Sequence, residues 1–321
     1  MHLPPRRSGA ALPSRGLAPF VLVLGLLAPA TAVPSPVAAL QPAPAETVAA
    51  ARDNDPVVVV AVGDIACRAG ASKTETTCRQ GRTARLTEEL DPDAVLALGD
   101  LQYDEGALYD FRNAYDRTWG DLRSITYPVP GNHEYNTPEA RSYYRYFRNR
   151  QPGRPGYYAF DLGRWRVYAL NTNCSRIRCR AEYRWLRDDL EDHPRRCSVF
   201  AMHHPRWSSG AGHGSDEDMS RFFSIAYRHD VELFLAGHEH NYERFRRMDR
   251  SGDPTKDGVM SIVSGAGGRS HYGFGDVERG SAYRNADDFG VLRLALRQKR
   301  YSFSFRDVDG GVADRGRRSC H

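Results

Sequence analysis

The chain has 321 residues, 40% of them hydrophobic and 26% charged, with a formal charge of +5. That balance excludes a disordered polar chain, and no apolar run reaches the about 20 residues needed to cross a bilayer. The three arginines of residues 1–32, with no acid among them, account for most of the excess; about +2 remains, which gives no specific nucleic-acid signal. The pairs Arg195-Arg196, Arg246-Arg247 and Arg317-Arg318 read as solvated surface.

Residues 1–32 read as an export signal. Arg6, Arg7 and Arg15 precede an apolar run over residues 17–27, and Ala30-Thr31-Ala32 supplies small residues for cleavage. Arg6-Arg7 is not followed by a twin-arginine consensus. Residues 33–54 are rich in Ala and Pro and lack aromatic residues, as in a flexible tether. Residues 55–321 then form one expected domain with a single core. The expected location is secreted or extracytoplasmic, cell-wall association included; the oligomeric state is not encoded legibly.

Six cysteines in an exported chain favour disulfides. Fifteen pairings are possible. Closeness in sequence suggests Cys67 with Cys78 and Cys174 with Cys179, and Cys197 with Cys320 is left by elimination. A zinc-thiolate site competes, but no short Cys spacing repeats as a zinc ribbon requires.

In chain order, residues 57–62 are an unbroken apolar run ending in Gly63-Asp64, as for a strand buried on both faces. Helical spacing over 81–90 leads to a second such run, 94–98, and strand, helix, strand implies a right-handed parallel crossover. Further strands are expected at 125–129, at 157–162 with 165–170 as a hairpin, and at 198–202, 231–236, 260–263 and 301–305. An amphipathic helix is expected at 181–190. The expected class is α/β, a four-layer α-β-β-α sandwich of two mixed sheets flanked by helices.

Five strings fall where apolar runs meet turns: Gly63-Asp64, Gly99-Asp100-Leu101-Gln102-Tyr103, Gly131-Asn132-His133-Glu134, His203-His204-Pro205 and Gly237-His238-Glu239-His240. Strand ends in open α/β sheets are where ligand sites form. Hydrolysing a phosphate ester requires neutralised oxygens, an activated water and a stabilised leaving oxygen, and two cations about 3.5 to 4 Å apart supply all three. Ions so close need a bridging carboxylate, for which Asp100 is the candidate.

Taken together, the strings resemble the purple acid phosphatase branch of the calcineurin-like metallophosphoesterases. Most metallophosphoesterases open with Asp-x-His; here Asp64-Ile65-Ala66 has alanine in the histidine place, and Tyr103 stands three residues after Asp100. The resemblance implies that a phenolate replaces the lost imidazole. Because a free Tyr titrates near 10, phenolate ligation favours Fe(III), with a violet charge-transfer colour as the implied consequence. By the same resemblance Asp64, Tyr103 and His240 would bind Fe(III), Asp100 would bridge, and Asn132, His203 and His238 would bind a divalent partner: Zn, Mn or Fe(II). His133 and, in the glycine-rich loop 208–214, His213 correspond to substrate-contacting catalytic histidines.

The implied function is an exported dinuclear-metal phosphatase that hydrolyses phosphate monoesters of small molecules by in-line attack of a metal-bound hydroxide. A phosphodiesterase or nucleotidase with the same ions is the alternative, and a non-catalytic phosphate- or metal-binding protein a more distant one. His204, next to His203 on an expected strand end, should face away from the site. Residues 241–244 read as packing around the last ligand, and residues 265–268 as a close-approach turn, since they lack the Lys and Ser/Thr of a nucleotide loop.

Overall fold

The computed structural model describes residues 55–194 and 197–321. The expected export signal (1–32), the tether (33–54) and the Arg195-Arg196 pair lie outside the described residues. Thirteen strands are found among the described residues: β1 (Val57–Val62), β2 (Ala94–Leu98), β3 (Thr126–Val129), β4 (Tyr158–Leu162), β5 (Trp165–Ala169), β6 (Ser198–Ala201), β7 (Leu233–Ala236), β8 (Tyr242–Met248), β9 (Val259–Ser264), β10 (Ser281–Asn285), β11 (Gly290–Arg297), β12 (Arg300–Asp307) and β13 (Val312–Ser319). They form a six-stranded sheet, β13-β12-β11-β1-β2-β3, and a seven-stranded sheet, β10-β8-β9-β7-β6-β5-β4.

Both sheets are mixed, as expected. β1, β2 and β3 run parallel, whereas β11 pairs antiparallel with β1. In the other sheet β5, β6, β7 and β9 are parallel. The helix Gln80–Glu89 makes the crossover from β1 to β2, and the helices Cys179–Asp192 and Ser220–Arg228 precede β6 and β7.

The expectation of one core is corrected to three layers, because two sheets present four faces. One cluster, including Val59, Leu96, Leu235 and Ile262, fills the space between the sheets. A second, with Phe200, Phe222 and Phe234, lies beneath helix Ser220–Arg228, and a third, with Val60, Tyr115 and Trp119, lies on the outside of the first sheet. This explains why β1 and β2 read as continuous apolar runs: successive side chains enter different layers, and both layers are dry. Truncating a fully buried Leu such as Leu96 costs about 2–5 kcal/mol at sites of this kind.

Register aligns the strand ends. Val62 lies opposite Ala97, Leu98 opposite Val129, and Ala201 opposite Leu235. The loops that follow therefore leave both sheets at one level. All three expected disulfides are present: Cys67–Cys78, Cys174–Cys179 and Cys197–Cys320. Among the described residues no helix is long and apolar enough to cross a membrane.

Candidate metal centre

The five strings follow β1, β2, β3, β6 and β7, so residues far apart in sequence meet over the carboxyl ends of parallel strands. The strand-end loops are laced by backbone bonds: the amides of Asp64, Ile65 and Ala66 donate to the carbonyls of Gly99, Asp100 and Leu101. Asp64, Asp100 and His238 hold positive φ of 59°, 48° and 74°, a conformation non-glycine residues keep only where surroundings enforce it. Gly131 has no substitute here, because a Cβ would stand 2.1 Å from an Asp100 carboxylate oxygen.

Asp64, Asp100 and Tyr103 are buried side by side. The Tyr103 hydroxyl is 2.8 Å from Asp64 Oδ1, 3.1 Å from Asp100 Oδ2 and 2.9 Å from His240 Nε2. On the other side of Asp100, His203 Nε2 is 3.3 Å from Asp100 Oδ2 and 3.0 Å from Asn132 Oδ1, and His238 Nδ1 is 3.1 Å from His203 Nε2. Asp100 thus stands between two donor groups, Asp64, Tyr103 and His240 on one flank and Asn132, His203 and His238 on the other.

The donors suit cations. His203 Nδ1 is 2.9 Å from the Leu98 carbonyl, which only accepts, so Nδ1 carries the hydrogen. Nε2 then presents its lone pair to two further acceptors, Asn132 Oδ1 and Asp100 Oδ2, an arrangement that a proton or a metal cation must satisfy. Burial would lower the His203 imidazole, yet the Asp100 charge and hydrogen bond, with Asp64, push it up to about 9. Burial would raise the Asp100 carboxyl, but His203, then His133 and His238, hold it well below the usual carboxylate range. Asp64 is pushed up by burial, with the Asp100 charge adding to it. Tyr103 is pushed above its ordinary value by burial and then by the same two carboxylates. A phenolate there requires a strongly acidic cation. Oxygen and imidazole donors without thiolate suit Fe, Zn or Mn.

Both expected substrate-facing histidines reach the site. His133 packs against Tyr103 with ring centroids 4.3 Å apart, and its side chain is 29% exposed. Its Nδ1 lies 2.5 Å from the Asp104 carbonyl and must donate to it, leaving Nε2 3.8 Å from Asp100 Oδ2. His213 stacks on His238, centroids 4.0 Å apart.

His204 is a correction. β6 ends at Ala201, so strand alternation no longer governs residues 203 and 204, and both rings turn toward the site. His203, His204 and His238 bring ring nitrogens within 4.8 Å of one another. Thr172 Oγ1 fixes His204 through Nδ1 at 2.7 Å and accepts its backbone N–H at 3.2 Å.

Two buried glutamates inside the strings were not anticipated as positioning groups. Glu134 Oε2 accepts the amides of Asp100 (3.0 Å) and Gly131 (2.7 Å), and Oε1 those of Leu101 (3.0 Å) and Gln102 (3.3 Å). One carboxylate joins the loops that carry Asp100 and Asn132. Burial, then the Asp100 charge, pushes Glu134 up to about 7. Glu239 Oε1 accepts the amides of His213 and Gly214, fastening the loop that presents His213. The signal was their place between ligand residues. Ser270, 2.8 Å from His240 Nδ1, and Thr172 carried no such signal.

The family model for calcineurin-like phosphoesterases matches residues 57–242, the segment from β1 to the start of β8. The chain belongs to that family. Purple acid phosphatase 21 of Arabidopsis thaliana is 35% identical over 118 residues, which cover 35% of this chain and 26% of the relative. Purple acid phosphatase 23 of the same plant is 26% identical over 257 residues, 68% of this chain and 54% of the relative. The fold is shared with a purple acid phosphatase from yellow lupin (Lupinus luteus) seeds, with TM-score 0.68 and 20% identity over 82% of this chain and 53% of that one. Within the family the chain falls in the purple acid phosphatase-like branch. It spans only 26% to 54% of these relatives' length.

Proposed function

We propose that this chain is an exported metal-dependent phosphatase acting on phosphate monoesters of small molecules. The observation that carries the reading is the position of Asp100, with three donor residues on either flank and the Tyr103 hydroxyl within 3.1 Å of both buried carboxylates. In this reading Asp64, Tyr103 and His240 would hold Fe(III), Asp100 would be shared by both ions, and Asn132, His203 and His238 would hold a divalent ion, Zn, Mn or Fe(II). When bound, the ion pair supplies Lewis-acid polarisation of the phosphoryl oxygens and a nucleophilic water at neutral pH.

The chain's own groups do the rest. The Leu98 carbonyl keeps the His203 lone pair aimed inward. His133, with Nδ1 held by Asp104, presents Nε2 to the leaving oxygen and, as imidazolium, delivers a proton there. His213 and His204 face the same space from the second sheet and bind phosphoryl oxygens. Glu134 keeps the Asp100 and Asn132 loops in register.

Export is supported by the leader-like residues 1–32 and by three disulfides, which persist in oxidising surroundings. Residues 55–321 are the proposed catalytic domain. The deciding experiment is kcat/KM for p-nitrophenyl phosphate against bis-p-nitrophenyl phosphate on protein of known metal content. Preference for the monoester is expected; preference for the diester transfers the function to a phosphodiesterase. For the iron assignment, Tyr103→Phe is expected to abolish visible absorbance, and a variant that keeps both colour and iron would refute phenolate ligation.

A further inference from the structure

A cavity of about 260 Å³ opens beside the metal centre, sharing Asn132 and His204 with it. Its wall carries charges of both signs, Arg176 on one element and Asp216 and Asp218 on another. Arg176 and Asp218 are exposed and Asp216 is half-buried, and among the described residues no ion pair joins Arg176 to either carboxylate, although all three line the same space. The Asp216 carboxylate accepts the backbone N–H of Asp218 at 2.9 Å and lies within reach of the Arg206 charge, whose own ion-pair partner is Glu217.

Arg176 is not on a loose loop. The Cys174–Cys179 disulfide closes a five-residue separation around it, its backbone N–H donates to Asn173 O at 2.8 Å, and the helix Cys179–Asp192 follows at once. Asp216 is equally placed: its N–H donates to Pro205 O, two residues from the candidate ligand His203. A cation and two carboxylates are thus held facing one cavity without neutralising one another. A ligand that pairs with all three in place of water carries both signs itself.

We infer that the cavity receives the alcohol portion of the ester, and that this portion is a free amino acid: its α-carboxylate meets Arg176 and its α-ammonium meets Asp216 and Asp218. The substrate class is then an O-phosphorylated hydroxy-amino acid. At about 30 Å³ per water, the cavity of about 260 Å³ holds about nine waters, ample room for a small amino acid. This inference rests on the phosphomonoesterase reading above.

The test compares kcat/KM of metal-loaded protein for O-phospho-L-serine, its N-acetyl amide, ethanolamine phosphate and 3-phosphoglycerate. O-phospho-L-serine should exceed the blocked derivative at least tenfold. Arg176→Ala should lower O-phospho-L-serine and 3-phosphoglycerate about tenfold relative to ethanolamine phosphate. Asp218→Asn should lower O-phospho-L-serine and ethanolamine phosphate relative to 3-phosphoglycerate. If the blocked and free esters agree within twofold, or each variant lowers all four in proportion, the inference is overturned while the phosphatase reading stands. Turnover of none of them, nor of p-nitrophenyl phosphate, overturns both.

Discussion

Replacing Glu134 tests how the centre is built, because the residue binds no substrate and yet joins two loops that carry candidate ligands. Its two oxygens accept four buried backbone N–H groups, at 2.7, 3.0, 3.0 and 3.3 Å. Glu134→Ala leaves all four without a partner, and an unsatisfied buried donor costs about 1–3 kcal/mol. Taking the low end for each, because water can enter part of the space vacated, the loss is about 4 kcal/mol. For a domain of this size that lowers Tm by about 8–16 °C. Glu134→Gln is a partial lesion: its one carbonyl oxygen can serve either the Asp100 and Gly131 pair or the Leu101 and Gln102 pair, while the amide N–H₂ opposes the other. About half the stability loss is expected, with a 10- to 100-fold fall in metal affinity, the usual consequence of removing a group that orients metal ligands. Calorimetry with metal analysis reads both effects. A Glu134→Ala protein that melts within about 2 °C of the parent and keeps its metal would refute the positioning role.

Glu239→Ala should release the loop 208–214, raising hydrogen exchange at His213 and Gly214 and lowering kcat/KM about tenfold; unchanged exchange there would show that the carboxylate does not fasten the loop. Glu182 is buried, accepts the Asn171 N–H at 2.9 Å through one oxygen, and has no hydrogen-bond partner for the other among the described residues. Burial pushes its carboxyl well above the ordinary value. The unfolded chain therefore loses this proton first, and stability falls as pH rises above about 4.5, by up to about 1.4 kcal/mol per unit, until the folded group itself ionises. Glu182→Gln should remove that slope and melt higher than the parent at pH 8; parallel Tm profiles from pH 5 to 8 would contradict it. Replacing both Cys197 and Cys320 by Ser opens a loop of sequence separation 123, costing about 4–5 kcal/mol by chain entropy and about 10–20 °C in Tm. A smaller change than about 2 °C would assign that disulfide no stabilising role.

The donor set was legible in the sequence because catalysis demands specific atoms at strand ends, and strand ends are marked by the change from β-branched residues to glycine. Asp64, Asp100, Asn132 and His238 each follow such a glycine, whereas His203 follows the apolar run directly, after Met202. The apolar runs of β1, β2, β6 and β7 were legible for the same reason. β8, β10 and β13 were not, because their arginines and other polar residues lie on sheet surfaces where no continuous apolar run forms. β11 is apolar enough to have been read as a strand. Its place in the centre of the first sheet, antiparallel to β1, is a matter of long-range pairing that no local pattern states.

Only the tertiary structure decided the direction of His204, since the end of β6 at Ala201 cancels the alternation that would have turned it away. The same holds for Glu134 and Glu239, whose partners are backbone amides brought close by folding, and for the cavity where Arg176 faces Asp216 and Asp218 across more than thirty residues of chain. Sequence determines which donor atoms the chain possesses and where its strands stop. Which charges confront one another without pairing depends on register and loop closure, and those are set by packing of the whole domain.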